Sequence, residues 1–298
     1  MKCVVGIDLE RRSAAVIALL GRLQFSIDET LLLHVTEPMQ LCLPYSAYGM
    51  FVETDEIHNT LKQAGDAALT EELRLANELN LHAKTEWCEG FPTASLTDFA
   101  DQSGSSLIAV TSTVRSTIGA VFGGSVARGL AISAHQSILV GREDVPAEGP
   151  LRAVFATDQS PYCAECMKLL VEFAPKGISH LTLLTVHECA KHEGLLSLIH
   201  GVDTKAALEE ADKSLVAKGD SMAAWLTENG IPTASIVVSG KIEEVIHQTM
   251  HETNADLLIV GSQGHGFMDR VMVGSTSLHQ IIGERYPILL LRPPKVAA

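Results

Sequence analysis

The residues with the clearest chemical potential lie near the end of the chain. Gly261 and Gly264 are separated by two residues, and nine residues then lead to Gly274, Ser275 and Thr276. Glycine has no side chain to keep an anion away from backbone N–H groups, and it tolerates positive φ. A helical pattern follows Gly274, so Ser275 and Thr276 can offer hydroxyls and free helix N-terminal N–H groups to a phosphate. With an apolar strand before it, this spacing predicts a phosphate-binding loop.

A pair of cysteines is the second group that could do chemistry. Cys163 and Cys166 fall early in a predicted helix, and His187, Cys189 and His192 follow a strand that ends on the same rim. Thiols and imidazoles at such spacing can hold zinc, and a helix N-terminus can lower a thiol pKa for redox chemistry. No other feature of the sequence indicates that these side chains have the geometry of a zinc site or a redox pair. We therefore favour the interpretation that the cysteines are ordinary thiols and the histidines lie on the surface.

Catalytic roles for other polar residues have weaker support. Ser160 lies close to Asp158, but no G-x-S-x-G elbow is present and a proline follows, which favours a helix N-cap. His265 and Asp269 lie in the nine-residue segment and could assist hydrolysis or bind magnesium through water, although a solvent-facing loop is favoured. The sequence lacks G-x4-G-K-[ST] and a G-x-G-x-x-G after its first strand, which disfavours a fast NTPase or a dehydrogenase.

The elements that would position these residues come from an internal duplication. Six anchors recur at an offset of 150 or 151 residues; for example, the apolar run before Asp8 recurs before Asp158, and Gly124 recurs as Gly274. The polar, Pro- and Gly-rich segment 143–150 joins the copies. We therefore expect two domains of one kind, residues 1–143 and 151–298.

Each copy alternates short apolar runs with longer helical patterns. The apolar runs are continuous, which is typical of strands covered on both faces. Helical patterns fill intervals such as 57–80 and 203–229. This alternation predicts an α/β fold with two tandem doubly wound, five-stranded parallel sheets, which bind ligands beyond the carboxyl ends of their strands. In the second copy the predicted strands are 152–157, 181–186, 234–238, 256–260 and 287–291.

Composition restricts the partners. The chain carries 22 basic and 36 acidic residues, a formal charge of −14, which argues against nucleic acid as the primary ligand. Apolar residues make up 46% of the sequence, enough for a sizeable core. We see no signal peptide and no membrane span, so we expect a cytoplasmic protein whose cysteines are thiols.

The pattern G-x2-G-x9-G-[ST] after a fourth strand resembles the signature of ATP-binding universal stress proteins. The resemblance extends over both copies as a tandem arrangement. It implies Rossmann-like domains of the adenine nucleotide alpha hydrolase type, ATP as ligand with or without Mg²⁺, and a role as a nucleotide-gated regulator in stress response. It assigns no catalytic residue and no metal ligand. By this resemblance, the nucleotide-binding residues are Ala156, Thr157, Asp158, Val186, Val260, Gly261, Gly264, Gly274, Ser275 and Thr276.

The first copy departs from the pattern. Thr111 and Val114 stand where the second copy has Gly261 and Gly264, and only the Gly-Ser pair at 124–125 is retained. A β-branched side chain would obstruct the close approach of a phosphate to the backbone. We expect the first copy to be a degenerate, structural or differently liganded half.

Other implications concern assembly and rival functions. The resemblance implies that the fifth strands, 138–140 and 288–291, meet across a pseudo-twofold axis, so that one chain mimics a dimer. An unidentified protein partner and a homodimer are further expectations. Two alternative functions stay open: a slow ATPase or nucleotidyl hydrolase, and a metal or thiol sensor that uses Cys163 and Cys166.

Overall fold

The chain forms ten strands and eight helices within the residues that the computed structural model describes, which are 1–37, 54–112, 125–143, 149–187, 204–263 and 274–294. None of the helices in these ranges is long and apolar enough to cross a membrane. The first half contains β1 (Lys2–Ile7), α1 (Ala14–Leu23), β2 (Glu29–Thr36), α2 (Thr54–Glu78), β3 (Ala83–Glu89), α3 (Pro92–Ser103), β4 (Leu107–Thr111), α4 (Ser125–Ser133) and β5 (Ser137–Gly141). The second half contains β6 (Leu151–Thr157), α5 (Pro161–Phe173), β7 (Ile178–His187), α6 (Thr204–Glu228), β8 (Thr233–Ser239), α7 (Ile242–Glu252), β9 (Leu257–Gly261), α8 (Ser275–Gly283) and β10 (Ile288–Leu291).

All ten strands belong to one mixed sheet, in the order β3-β2-β1-β4-β5-β10-β9-β6-β7-β8. The five strands of each half are mutually parallel, as the α/β prediction requires, and β5 pairs with β10 in the antiparallel direction, with Leu139 opposite Leu289. The two fifth strands therefore meet as the resemblance implies. Since this pairing reverses direction, the carboxyl ends of the two halves' parallel strands lie on opposite edges of the sheet.

The sheet is covered on both faces because its central strands are apolar on both sides. Helices α1, α2, α5 and α6 pack on one face, around residues such as Ile17 and Phe173. Helices α3, α4, α7 and α8 pack on the other, around residues such as Leu130 and Ile246. β4 and β9 have no exposed residue, which explains why their sequences are continuous apolar runs.

Two arginines in equivalent positions fasten the halves together. Arg142 follows β5 and donates hydrogen bonds to the carbonyl oxygens of Ser112, at 2.9 Å, and of Ile281 in α8, at 2.7 Å. Arg292 follows β10 and donates to the carbonyl oxygen of Ala131 in α4. Each half thus supplies a guanidinium to the fourth helix of the other, near the helix end where carbonyl groups lack intrahelical partners.

A buried carboxyl group lies between α1 and α2. Glu72 is 1% exposed and accepts a hydrogen bond from the Ser13 hydroxyl at 3.1 Å. Burial is the largest influence on this group, and it raises the pKa of Glu72 above the ordinary glutamate value. The ionised form is therefore a cost to the folded state at neutral pH.

This cost predicts a pH-dependent effect of Glu72→Gln. A raised folded pKa gives stability that is present below the unfolded pKa and is lost as pH rises through the folded pKa. Relative to the wild type, the variant should therefore gain unfolding free energy between pH 4.5 and pH 7.5. Urea denaturation at the two pH values measures this. A difference between the proteins that does not change with pH would contradict the assignment.

Candidate functional site

A cavity of about 420 Å³ opens at the carboxyl ends of β1, β2 and β4. It lies where the strand order reverses, between β1 and β4, with β2 on the far side of β1. Open α/β sheets bind ligands at such switch points. The residues that line it include Gly6, Ile7, Asp8, Val35, Val110, Thr111 and Val126.

Through the duplication, residues that line this cavity correspond to residues of the predicted nucleotide site in the second half. Strand registers agree between the halves: Ile7 pairs with His34 in the first, and Thr157 pairs with Thr185 in the second. The counterparts of the seven residues named above are Ala156, Thr157, Asp158, Val186, Val260, Gly261 and Thr276. These seven are all members of the predicted site. The site residues that lack a counterpart among the seven are Gly264, Gly274 and Ser275.

The described members of the predicted site lie at neighbouring strand ends. Ala156 and Thr157 end β6, and Ala156 pairs with Val260 of β9. Asp158 comes directly after β6, and its Oδ1 accepts the backbone N–H of Ser160 at 2.9 Å. On the other side of β6, Val186 is the next-to-last residue of β7. The structure therefore brings these positions to one edge of the sheet.

Helix α8 begins beside this edge. The backbone N–H of Gly274 donates to the Ser262 carbonyl oxygen at 2.8 Å, and the Ser277 hydroxyl donates to the Gly261 carbonyl oxygen at 2.8 Å. These two bonds hold the start of α8 against the end of β9. The N–H groups of a helix's first turn have no intrahelical acceptor, so they are available to an anion at this point.

The structure shows a packing reason for a glycine at position 261. A Cβ atom there would lie 3.2 Å from Cys166 Sγ and 3.2 Å from Tyr162 Cε1, so the missing side chain accommodates α5. Neither Gly261 nor Gly274 has a positive φ. Close packing against α5, and not a left-handed backbone, favours glycine at position 261. Gly264 lies outside the described residues.

Gln159 shapes the site and was not predicted from the sequence. Its side-chain amide donates to the Thr185 hydroxyl and to the Leu215 carbonyl oxygen, both at 2.9 Å. The backbone carbonyl oxygen of Gln159 accepts a hydrogen bond from Lys218 Nζ at 2.7 Å. The residue thereby ties the ends of β6 and β7 to α6. The first half has Leu9 at this position, so the repeat itself gave no indication of the role.

The Ser160 N-cap is confirmed, and it belongs to the helix that carries the two cysteines. Ser160 Oγ accepts the backbone N–H of Cys163 at 3.2 Å, and Pro161 is the first residue of α5. Both thiols are nevertheless buried. Burial raises the pKa of Cys163 to about 11 and raises that of Cys166 further. A helix N-terminus therefore does not produce a reactive thiolate here.

A metal site around the cysteines is not supported in the described part of the chain. No group of three His, Cys, Asp or Glu side chains there is arranged to hold a metal ion. His187 Nε2 lies 3.4 Å from Asp212 Oδ1 of α6, so the imidazole contacts this carboxylate and not the two cysteines. Other residues singled out in the sequence lie outside the described ranges: Val114, Gly124, Cys189, His192, His265 and Asp269.

The raised thiol pKa values predict slow alkylation of the native protein. With a pKa of about 11, roughly a thousandth of Cys163 is thiolate at pH 8. Treatment with N-ethylmaleimide at pH 8, followed by peptide mass spectrometry, should leave Cys163 and Cys166 unmodified while Cys88, which is partly exposed, reacts. In urea all three should react. Rapid native modification of Cys163 would support the thiol-sensor function instead.

Comparisons with known proteins agree with this geometry. The sequence model of the universal stress protein family matches residues 1–142 and 151–281. A universal stress protein from Archaeoglobus fulgidus DSM 4304 superposes with a TM-score of 0.69 at 19% identity, over 99% of this chain and 97% of that chain. A functionally unknown protein from Pseudomonas aeruginosa PAO1 gives 0.58 at 15% identity, over 98% and 92%. No curated protein matches the chain. Since the family model covers both halves, the chain belongs to the universal stress protein family, with two domains in tandem.

Proposed function

We propose that the second half binds ATP at the carboxyl ends of β6, β7 and β9, and that this binding makes the protein a nucleotide-gated regulator. Nucleotide would change the surface that residues 261–276 present, and a protein partner would recognise the change.

One observation carries the proposal. Seven residues that line the cavity at the switch point of the first half have counterparts in the second half that the family resemblance assigns to the nucleotide site. The start of α8 is bonded to the end of β9, beside that position. A cavity next to a helix N-terminus suits a nucleoside with attached phosphates.

Each part of the site would then have a separate task. Ala156 and Asp158 would contact the nucleoside, and the backbone of Val186 would bind adenine, as the family resemblance implies. Gly264 and the start of α8, with Ser275 and Thr276, would hold the phosphates. Mg²⁺, if it accompanies ATP, would be bound through phosphate oxygens.

The first half is not expected to bind ATP in the same way. Thr111 and Val114 replace the two leading glycines. Among the described residues that line its cavity, Asp8, Glu10 and Glu37 are acidic and Arg12 is basic, a net negative charge that repels a triphosphate. One chain should therefore bind one ATP.

Isothermal titration of the full chain with ATP tests the proposal. We expect saturation at sub-millimolar nucleotide with a stoichiometry near one. No heat in this range would contradict ATP binding, and a stoichiometry near two would contradict the degenerate first half. Parallel titrations with ADP and cAMP measure selectivity for the phosphate chain. A phosphate-release assay under the same conditions separates a binding protein from a slow ATPase, since a regulator should release phosphate no faster than the buffer does.

A further inference from the structure

The cavity of the first half has apolar walls that the ATP proposal leaves without a ligand. Its volume of about 420 Å³ falls within the range of small-molecule sites. The residues that form its apolar surface include Gly6, Leu33, Val35, Leu96, Val110 and Val126. Such a surface favours an apolar body of a size that the cavity can enclose.

The charged residues that line the cavity are predominantly acidic. Asp8, Glu10 and Glu37 contribute carboxylates, and Arg12 is the one basic residue among the described lining residues. The Arg12 guanidinium forms an ion pair with Glu10 and lies 4.0 Å from Glu143. That pair engages the charges of both Arg12 and Glu10, so Asp8 and Glu37 give the described lining its net acidic charge, and the cavity favours a cationic group over an anionic one.

We propose that this cavity is a second ligand site, and that it binds a small apolar molecule carrying a protonated primary amine. The apolar body lies on the walls formed by β1, β4, α3 and α4. The ammonium group lies at the carboxyl ends of the strands, near Asp8 and Glu37. The site is separate from the proposed ATP site, because the two halves present their carboxyl ends on opposite edges of the sheet.

Three phenyl compounds of similar size probe the site in the full chain. They are 2-phenylethylamine, the neutral 2-phenylethanol and the anionic 3-phenylpropionate. Titration followed by ligand-observed NMR should give an affinity for the amine at least tenfold greater than for the carboxylate, with the alcohol between them. Saturating ATP should not displace the amine. Equal affinities, no binding of the amine at millimolar concentration, or displacement by ATP would each overturn the proposal.

A pair of matched variants locates the binding. Val126→Trp, at the start of α4, fills the cavity and should abolish amine binding while ATP binding continues. Thr276→Trp is its counterpart in α8 and should do the reverse. Amine binding that survives Val126→Trp would place the ligand elsewhere and overturn the assignment. Because ATP is measured in the same samples, failure of the ATP proposal would not be mistaken for failure of this one.

A milder variant keeps the test valid if Val126→Trp does not fold. Glu37 is an exposed residue that lines the cavity, so Glu37→Gln removes a charge without disturbing the core. The substitution should lower the affinity for the amine about threefold, which is the effect typical of losing one exposed charge pair. The affinity for the alcohol should not change. Equal loss for the two compounds, or no loss for either, would contradict the role of the acidic residues.

Discussion

Replacing Gly264 by valine should lower the affinity for ATP by about 100-fold, which corresponds to about 2.7 kcal/mol. The substitution gives the second half the residue that the first half carries at Val114. A β-branched side chain keeps phosphate oxygens away from backbone N–H groups, and those groups supply most of the proposed binding. Isothermal titration of the wild type and the variant measures the loss.

Gly264 is a better test position than Gly261. A side chain at Gly261 would contact Cys166 and Tyr162 of α5, so a loss of binding there could follow from damaged packing. The matched control is Val114→Ile, which changes the equivalent position of the first half and should leave ATP affinity unchanged. Thermal melting of both variants checks folding. Wild-type affinity in Gly264→Val would show that this loop does not hold the phosphates.

Arg142→Met should lower the free energy of unfolding by about 2–3 kcal/mol. Arg142 is 4% exposed, and its guanidinium bonds the carbonyl oxygens of Ser112 and Ile281. Burial lowers the pKa of Arg142 to about 10, so the group is still charged at neutral pH. Methionine would fill a similar volume but leave both carbonyl groups without a donor. Part of that cost is offset because the buried charge is removed as well.

The same substitution should weaken the coupling between the halves. Arg142 joins the first half to α8, and Arg292 joins the second half to α4. Urea denaturation of the Arg142→Met, Arg292→Met double variant should therefore be broader than that of the wild type, or biphasic. Arg128→Met, at an exposed position on α4, is the control and should change stability by less than about 0.5 kcal/mol. If Arg128→Met lowered stability as much as the variants of Arg142 and Arg292, the proposed coupling role of these two arginines would be contradicted.

The fold was predictable because the sequence repeats itself and its central strands are continuous apolar runs. The predicted strand 234–238 corresponds to β8, Thr233–Ser239, and the helical interval 203–229 to α6, Thr204–Glu228. Among the strands of the second half, the largest discrepancy is β7, which begins at Ile178 rather than at 181. The polar residues Ser179 and His180 interrupt the apolar run, so a search for continuous apolar residues places the start of the strand at Leu181. Ile178 is buried and pairs with Leu151 at a register shift that the sequence does not reveal.

The details of the site depend on contacts between distant segments, and these were not predictable. Gln159 is a polar residue after a strand, and its amide finds its two partners only because β7 and α6 both lie beside the end of β6. Gly261 matched a phosphate-binding pattern, yet its missing side chain faces α5. Arg142 and Arg292 were visible as equivalent positions of the repeat, but their function requires the antiparallel contact between β5 and β10.

Photolabelling with 8-azido-ATP, followed by peptide mapping, tests the location of the nucleotide most directly. The azide attaches to residues next to the adenine, so the label reports which half contains the base. We predict labelling of the peptide that carries Val186 at the end of β7, and its loss when unlabelled ATP is added. Competable labelling of the equivalent peptide, which carries Val35 at the end of β2, would contradict the account.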